Sequence, residues 1–134
     1  MAKITEIEGI GEVYGPQLMA VGIATTEALL EKGATPQSRK AIEEATGISH
    51  DLLLKWINRA DLFRIKGIGE EYSDLLEAAG VDTVPELAQR NPENLYAALQ
   101  SVNAEKKLVR RLPALAQVSD WIEQAKKLPR VVTY

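Results

Sequence analysis

Ile7-Glu8-Gly9-Ile10-Gly11-Glu12-Val13-Tyr14 returns 58 positions later as Ile65-Lys66-Gly67-Ile68-Gly69-Glu70-Glu71-Tyr72. The same offset holds through Leu18/Leu76, Ala20/Ala78, Gly22/Gly80, Ile23/Val81, Thr25/Thr83 and Leu29/Leu87. A later block also returns at a larger offset: Trp56-Ile57 and Ala60 as Trp121-Ile122 and Ala125, then Leu62-Phe63-Arg64-Ile65 as Leu128-Pro129-Arg130-Val131. Similarity in the same order over three segments reads as an internal duplication. It predicts a first unit over 1–64, a second over 65–128 and a loose tail over 129–134. The second unit is longer, with the extra residues near Ala104 to Leu112.

Each unit reads as helices. Leu18, Val21 and Ile23, and then Leu75, Leu76, Ala79 and Val81, fit the end of a packed helix. Gly22 and Gly80 stand where a helix stop wants a left-handed residue. Thr25 and Thr83 follow as N-caps, with Glu86 placed to complete a capping box on Thr83. Pro36 after Thr35 and Pro92 after Asn91 mark first helical positions. Ser49 caps an apolar stripe through Leu52, Leu53, Trp56, Ile57, Ala60 and Leu62. No segment alternates long enough for a strand, so the fold class is all-α.

The Gly-Ile-Gly between helices is the feature with chemical content. Two glycines with positive φ would reverse the chain sharply while Ile10 or Ile68 plugs the space between helices. The backbone N–H groups of the turn and of the next helix's first turn would then point outward together, a concavity suited to a phosphate.

On Ala60-Asp61-Leu62, Arg64-Ile65, Gly67-Ile68-Gly69 and Tyr72, followed by Leu75-Leu76, Ala79-Gly80-Val81-Asp82-Thr83-Val84, the chain resembles the helix-hairpin-helix superfamily. More narrowly it resembles a bacterial family of tandem helix-hairpin-helix proteins, often cyanobacterial, that is a sequence grouping without an assigned activity. The resemblance spans about residues 4 to 128. It implies tandem helix-hairpin-helix (SAM-like) units in a compact helical domain, and a grip on nucleic-acid phosphates through the hairpin without reading sequence. Such turns can also ligate a monovalent cation through backbone carbonyls.

The chain departs from that pattern where charge matters. Past the second glycine, DNA-binding hairpins place Pro, Lys or Arg, whereas Glu12 stands in one copy here and Glu70-Glu71 in the other. A carboxylate there satisfies the helix N-terminus and repels an incoming phosphate. Pro16 removes a donor inside the helix that follows the first hairpin. The first hairpin, Gly9-Ile10-Gly11, therefore reads as structural. At the second, Arg64 and Lys66 keep a phosphate contact open beside Gly67, Ile68 and Gly69. Lys106, Lys107, Arg110 and Arg111 read as one broad face of a helix, with Ser101-Val102-Asn103-Ala104 as a turn before it whose helix dipole adds to their charge. The bland alternative is a solvated helix face.

Composition bounds the rest. The 134 residues carry 16 basic and 19 acidic side chains, net −3, with no cysteine. Disulfides, thiolate metal sites and thiol nucleophiles are excluded. Residues 105–130 hold seven basic and three acidic groups, so an anionic partner should prefer that end. No apolar run approaches membrane-spanning length. The opening Met1-Ala2-Lys3-Ile4-Thr5-Glu6 lacks a signal peptide's apolar stretch, and the expectation is a cytoplasmic protein. His50, the single histidine, stands beside a cap. Trp56 and Trp121 read as core, Tyr14 and Tyr72 as packed under the hairpins with hydroxyls at the surface. Glu43-Glu44 and Glu70-Glu71 diverge around their helices and make no acid–base pair. No enzyme active site, cofactor or small-molecule substrate is expected. Two functions stand: a sequence-independent nucleic-acid-binding module, or a protein-interaction scaffold in which the hairpins are structural.

Overall fold

A computed structural model describes residues 3–7 and 9–134; the readings that fall on Met1, Ala2 and Glu8 lie outside the described residues. Among the described residues the regular structure is helical: a 3₁₀ turn Ile4–Glu6, then α1 (Gly11–Ala20), α2 (Thr26–Lys32), α3 (Pro36–Thr46), α4 (His50–Leu62), α5 (Glu70–Ala78), α6 (Val84–Ala88), α7 (Pro92–Lys106) and α8 (Leu115–Lys127). The one extended pairing described is an isolated bridge between Lys3 and Thr25. The chain separates into two compact units, residues 1–61 with 130–134, and residues 62–129.

Helix boundaries follow from local chemistry. α1 and α5 end in the same way. Gly22 (φ +84°) and Gly80 (φ +92°) are left-handed. The N–H of Ile23 reaches Leu18 O at 2.9 Å and that of Gly22 reaches Met19 O at 3.0 Å; Val81 to Leu76 and Gly80 to Glu77 repeat the pattern at 2.8 and 3.0 Å. This is the Schellman arrangement, which uses carbonyls that a helix end otherwise leaves bare. A cation at the same place in each unit supplements it: Lys32 Nζ donates to Val21 O at 3.2 Å, and Arg90 to Gly80 O at 3.3 Å.

The next helices start on side-chain caps. Thr25 accepts from Ala28 N at 3.1 Å and Thr83 from Glu86 N at 3.2 Å. Thr35 and Ser38 form a reciprocal capping box with Pro36 at the first position, and Asn91 Oδ1 accepts from Asn94 N ahead of Pro92. Ser49 Oγ accepts from Leu52 N at the start of α4. Pro16 lies inside α1 and supplies no N–H for the usual helical bond to the Glu12 carbonyl four residues earlier.

The first unit buries Ile4, Ile7, Leu18, Ile23, Leu29, Leu53, Trp56 and Ile57 completely or nearly so. In the second unit Leu75, Leu76, Leu87, Leu95, Leu99, Val118, Trp121 and Ile122 form the core, with α6 and α7 packed on α8 and α5 on α7.

Two expectations are corrected. Pro129–Tyr134 is no loose tail: Val132 is buried, Thr133 N donates to Ala34 O at 2.8 Å, and Tyr134 Oη donates to Asn58 Oδ1 at 2.6 Å. Six residues are too few to show a burial period, and their partners are far away in sequence. The Lys106–Arg111 helix does not exist either. Ser101–Ala104 belongs to α7, which continues to Lys106; Lys107 is the left-handed C-cap (φ +51°), and an irregular loop follows to Ala114. The Asn103 side chain explains the stop. Its Nδ2 donates to Val109 O at 3.1 Å and its Oδ1 accepts from Val109 N at 2.9 Å, folding the chain back so that Val109 and Pro113 are buried.

Helix α2 closes against α4 without room for a side chain. A Cβ on Gly33 would lie 2.4 Å from Ile57 Cδ1 and 2.9 Å from Leu29 O. Overpacking of this kind costs about 1–3 kcal/mol, so Gly33→Ala is expected to lower the melting temperature by roughly 5–15 °C by calorimetry. An unchanged midpoint would mean that Ile57 repacks freely.

Candidate nucleic-acid interface

Both Gly-Ile-Gly turns are built on the same contact. Gly9 and Gly67 are left-handed, at φ +94° and +99°. Each lies against the ring nitrogen of the tryptophan in the last helix of its unit. A Cβ on Gly9 would sit 3.4 Å from Trp56 Nε1, and one on Gly67 2.8 Å from Trp121 Nε1. Ile10 and Ile68 are buried as plugs, and their N–H groups close the turn on Ile7 O and Ile65 O at 3.3 and 3.2 Å. Tyr14 tilts onto Trp56 at 5.1 Å between centroids, Tyr72 onto Trp121 at 5.3 Å, with interplanar angles of 58° and 53°. Tilted pairs at this separation are favourable aromatic contacts.

The second glycines differ, which corrects the expectation of two left-handed residues per turn. Gly11 has φ +49°, but Gly69 is not left-handed: at φ −110°, ψ −162° it is extended. A Cβ on Gly69 would meet nothing within 4 Å, so this glycine is not required by packing. Helix α5 starts there without a side-chain cap, and its first i→i−4 bond is Ser73 N to Gly69 O at 2.9 Å. The N–H groups of Glu70, Glu71 and Tyr72 precede that bond. They carry the positive end of the helix dipole, beside two carboxylates of the same turn.

The structure divides the basic residues singled out by sequence. Arg64 is half-buried and its Nη2 donates to Pro129 O at 2.8 Å, so it fastens the end of the second unit. Lys66 is exposed, but its main chain is held from both sides: its N–H donates to Gln124 Oε1 at 2.9 Å and its carbonyl accepts from Gln124 Nε2 at 3.1 Å. Lys106, Lys107, Arg110 and Arg111 are all exposed, spread over the end of α7 and the loop after it. The dipole at Lys106 and Lys107 is that of a helix C-terminus, opposite to the expectation; it favours the cations themselves and adds nothing for an anion.

One hydrogen bond links the start of α5 to the loop after α7. Tyr72 Oη donates to Arg111 O at 3.1 Å, so the loop with Lys107, Arg110 and Arg111 is fastened to the first turn of α5, next to the Gly67-Ile68-Gly69 turn. The tyrosine hydroxyl, expected merely to reach the surface, is a strut. Neither this strut nor the Asn103 and Gln124 clamps was singled out in the sequence; the return of Tyr14 and Trp56 as Tyr72 and Trp121 was the only signal for the first, and nothing local marks the other two. In the first unit the corresponding connection is only Gly47-Ile48-Ser49, without a cation. His50 is exposed, 3.1 Å through Nδ1 from Glu43 Oε2. Among the described residues no group of three or more His, Cys, Asp or Glu side chains could hold a metal ion. No helix of the described residues is long and apolar enough to cross a membrane.

The two glycines of the Gly67-Ile68-Gly69 turn should separate cleanly by substitution. Gly67→Ala combines a left-handed backbone with a clash on Trp121 and is expected to destabilise the protein by about 1–3 kcal/mol in urea titration. Gly69→Ala, extended and in open space, should stay within about 0.5 kcal/mol of the parent. Equal costs at the two positions would refute the geometry.

Compared with known proteins, residues 8–128 match the model of a domain family described as a domain of unknown function, DUF4332, and the chain belongs to that family. No curated protein and no solved structure matches it.

Proposed function

We propose that this member of the DUF4332 family is a sequence-independent nucleic-acid-binding module of two duplicated helix-hairpin-helix units, in which the second unit contacts phosphates. The observation that carries the reading is the Tyr72–Arg111 hydrogen bond, which fastens a loop of exposed cations to the helix start that follows the Gly67-Ile68-Gly69 turn. The matched Schellman ends, Trp–Gly contacts and Tyr–Trp pairs support the duplication. In this reading the N–H groups of Gly69, Glu70 and Glu71 approach one phosphate, and Lys66, Lys106, Lys107, Arg110 and Arg111 its neighbours along the strand. Contacts of this type give affinity without base recognition. Arg64 positions the unit through Pro129 and is not a primary contact. Glu70 and Glu71 hold the affinity down, because they compete for the same N–H groups. Gly9-Ile10-Gly11 serves the fold.

A protein-interaction role is the second reading, favoured by the glutamates at both turns and by the excess of acidic groups in the first 61 residues, nine against six basic. Both readings place the protein away from catalysis and from any cofactor.

Fluorescence anisotropy of the full chain against labelled duplex, single-stranded and four-way-junction DNA tests the proposal. With three or four phosphates neutralised, affinity is expected to fall roughly 40- to 150-fold between 50 and 200 mM salt. Lys106, Lys107, Arg110 and Arg111 changed together to Glu should abolish binding, whereas Glu70→Gln with Glu71→Gln should tighten it several-fold. Absence of binding at 50 mM salt, or full binding by the fourfold reversal, would overturn it.

A further inference from the structure

Residues 130–134 belong to the first unit, although the chain reaches them directly from α8 of the second. They lie extended across the α2–α3 connection and α4. Thr133 N and Oγ1 both donate to Ala34 O, at 2.8 and 3.2 Å, and Arg39 Nη2 donates to Thr133 O. Val132 is buried. The Tyr134 ring lies 5.8 Å from the guanidinium carbon of Arg39 and 5.8 Å from that of Arg130, and its hydroxyl donates to Asn58 Oδ1. Main-chain pairing, one buried apolar side chain and one anchored aromatic are how a groove reads an extended peptide.

Arg39 is the unusual member of this groove. It is only 2% exposed, its Nη1 donates to Gly33 O at 2.8 Å, and its Nε is buried without a partner. Two carbonyls and an aromatic face are weak compensation for a buried guanidinium. The groove is therefore completed only when a peptide carbonyl and an aromatic ring arrive from elsewhere in the sequence. The charges agree: residues 1–61 are net −3, and the arriving segment brings Arg130.

We infer that the first unit is a peptide-docking unit whose groove, formed by Ala34, Arg39 and Asn58, accepts the 130–134 segment of a second copy of this chain in exchange for its own. The occupant follows from complementarity, since the one segment that demonstrably fits the groove is this chain's own. Only Leu128 and Pro129 separate it from α8, so a swap changes the path at those two residues and re-forms the groove's contacts in the second copy. Docking within one chain wins at low concentration through its higher effective concentration, and exchange appears when that advantage is removed.

Two full-length variants remove it. Val132→Asp spoils the segment and leaves the groove, and Arg39→Met spoils the groove and leaves the segment. Neither can pair with itself, but mixed at about 100 µM they are expected to sediment as a one-to-one heterodimer of twice the mass. The peptide Pro-Arg-Val-Val-Thr-Tyr should displace amide resonances of Ala34, Arg39 and Asn58 in the Val132→Asp chain, and its version with Ala in place of Tyr should bind about tenfold more weakly. Asn58→Ala and Thr133→Pro provide a second pair should either first variant lose its circular dichroism. Monomers throughout in the mixture overturn the exchange. Peptide binding without chain pairing overturns it too, leaving a clasp that works only within one chain.

Discussion

The second unit depends on a contact between an indole and a missing side chain. Trp121, from the last helix, presses its ring nitrogen on Gly67 so closely that a methyl group there would lie 2.8 Å away. That one constraint fixes three things at once. The turn residue must be glycine, its φ of +99° needs no other justification, and the last helix must reach back to the first turn for the unit to close. Tyr72 then packs on the same indole and extends its hydroxyl to the loop beyond α7. Gln124, one turn after Trp121 on α8, holds the main chain of Lys66 by both its polar groups. Core, turn and surface loop are thus set by one helix face, and the candidate interface inherits its rigidity from the core.

What was legible in the sequence is what local chemistry decides. Gly22, Gly80, Thr25, Thr83, Pro36, Pro92 and Ser49 each act within a few residues of themselves, and each does what its type requires. The tryptophans could be placed in the core because they repeat on apolar stripes. What was not legible was decided at a distance. Lys106, Lys107, Arg110 and Arg111 have helical spacing, and nothing in their own charges forbids a helix. The helix ends because Asn103 captures the main chain of Val109 and because Val109 and Pro113 are wanted in the core. Lys107 accepts a left-handed conformation in consequence, at a cost that glycine would have avoided. Likewise Arg39 looks like one cation among 16 until the 130–134 segment lies across it.

The irregular loop is not a weaker design than the predicted helix face. A helix would have turned its cations through 100° per residue and tied their spacing to 1.5 Å steps along an axis. The loop instead is fixed at two points, by Asn103 on Val109 and by Tyr72 on Arg111, and between them Arg110 is exposed. Side-chain freedom remains, but in the proposed function the main chain has little left to lose on binding. That matters for weak, charge-driven association, in which ordering a mobile loop would cancel much of the gain.

The two turns differ most informatively where packing makes no demand. Gly67 is explained by Trp121, whereas Gly69 is extended and has open space beside it, so the fold alone would tolerate a side chain there. In the proposed function a glycine here leaves the helix start open to an anion, which a Cβ would narrow. Glu70 and Glu71 act in the opposite sense, stabilising the same helix start from within. The start of α5 is therefore without a side-chain cap and partly neutralised by its own two glutamates. In the proposed function the attraction comes from the loop beside it, where Lys107, Arg110 and Arg111 are exposed.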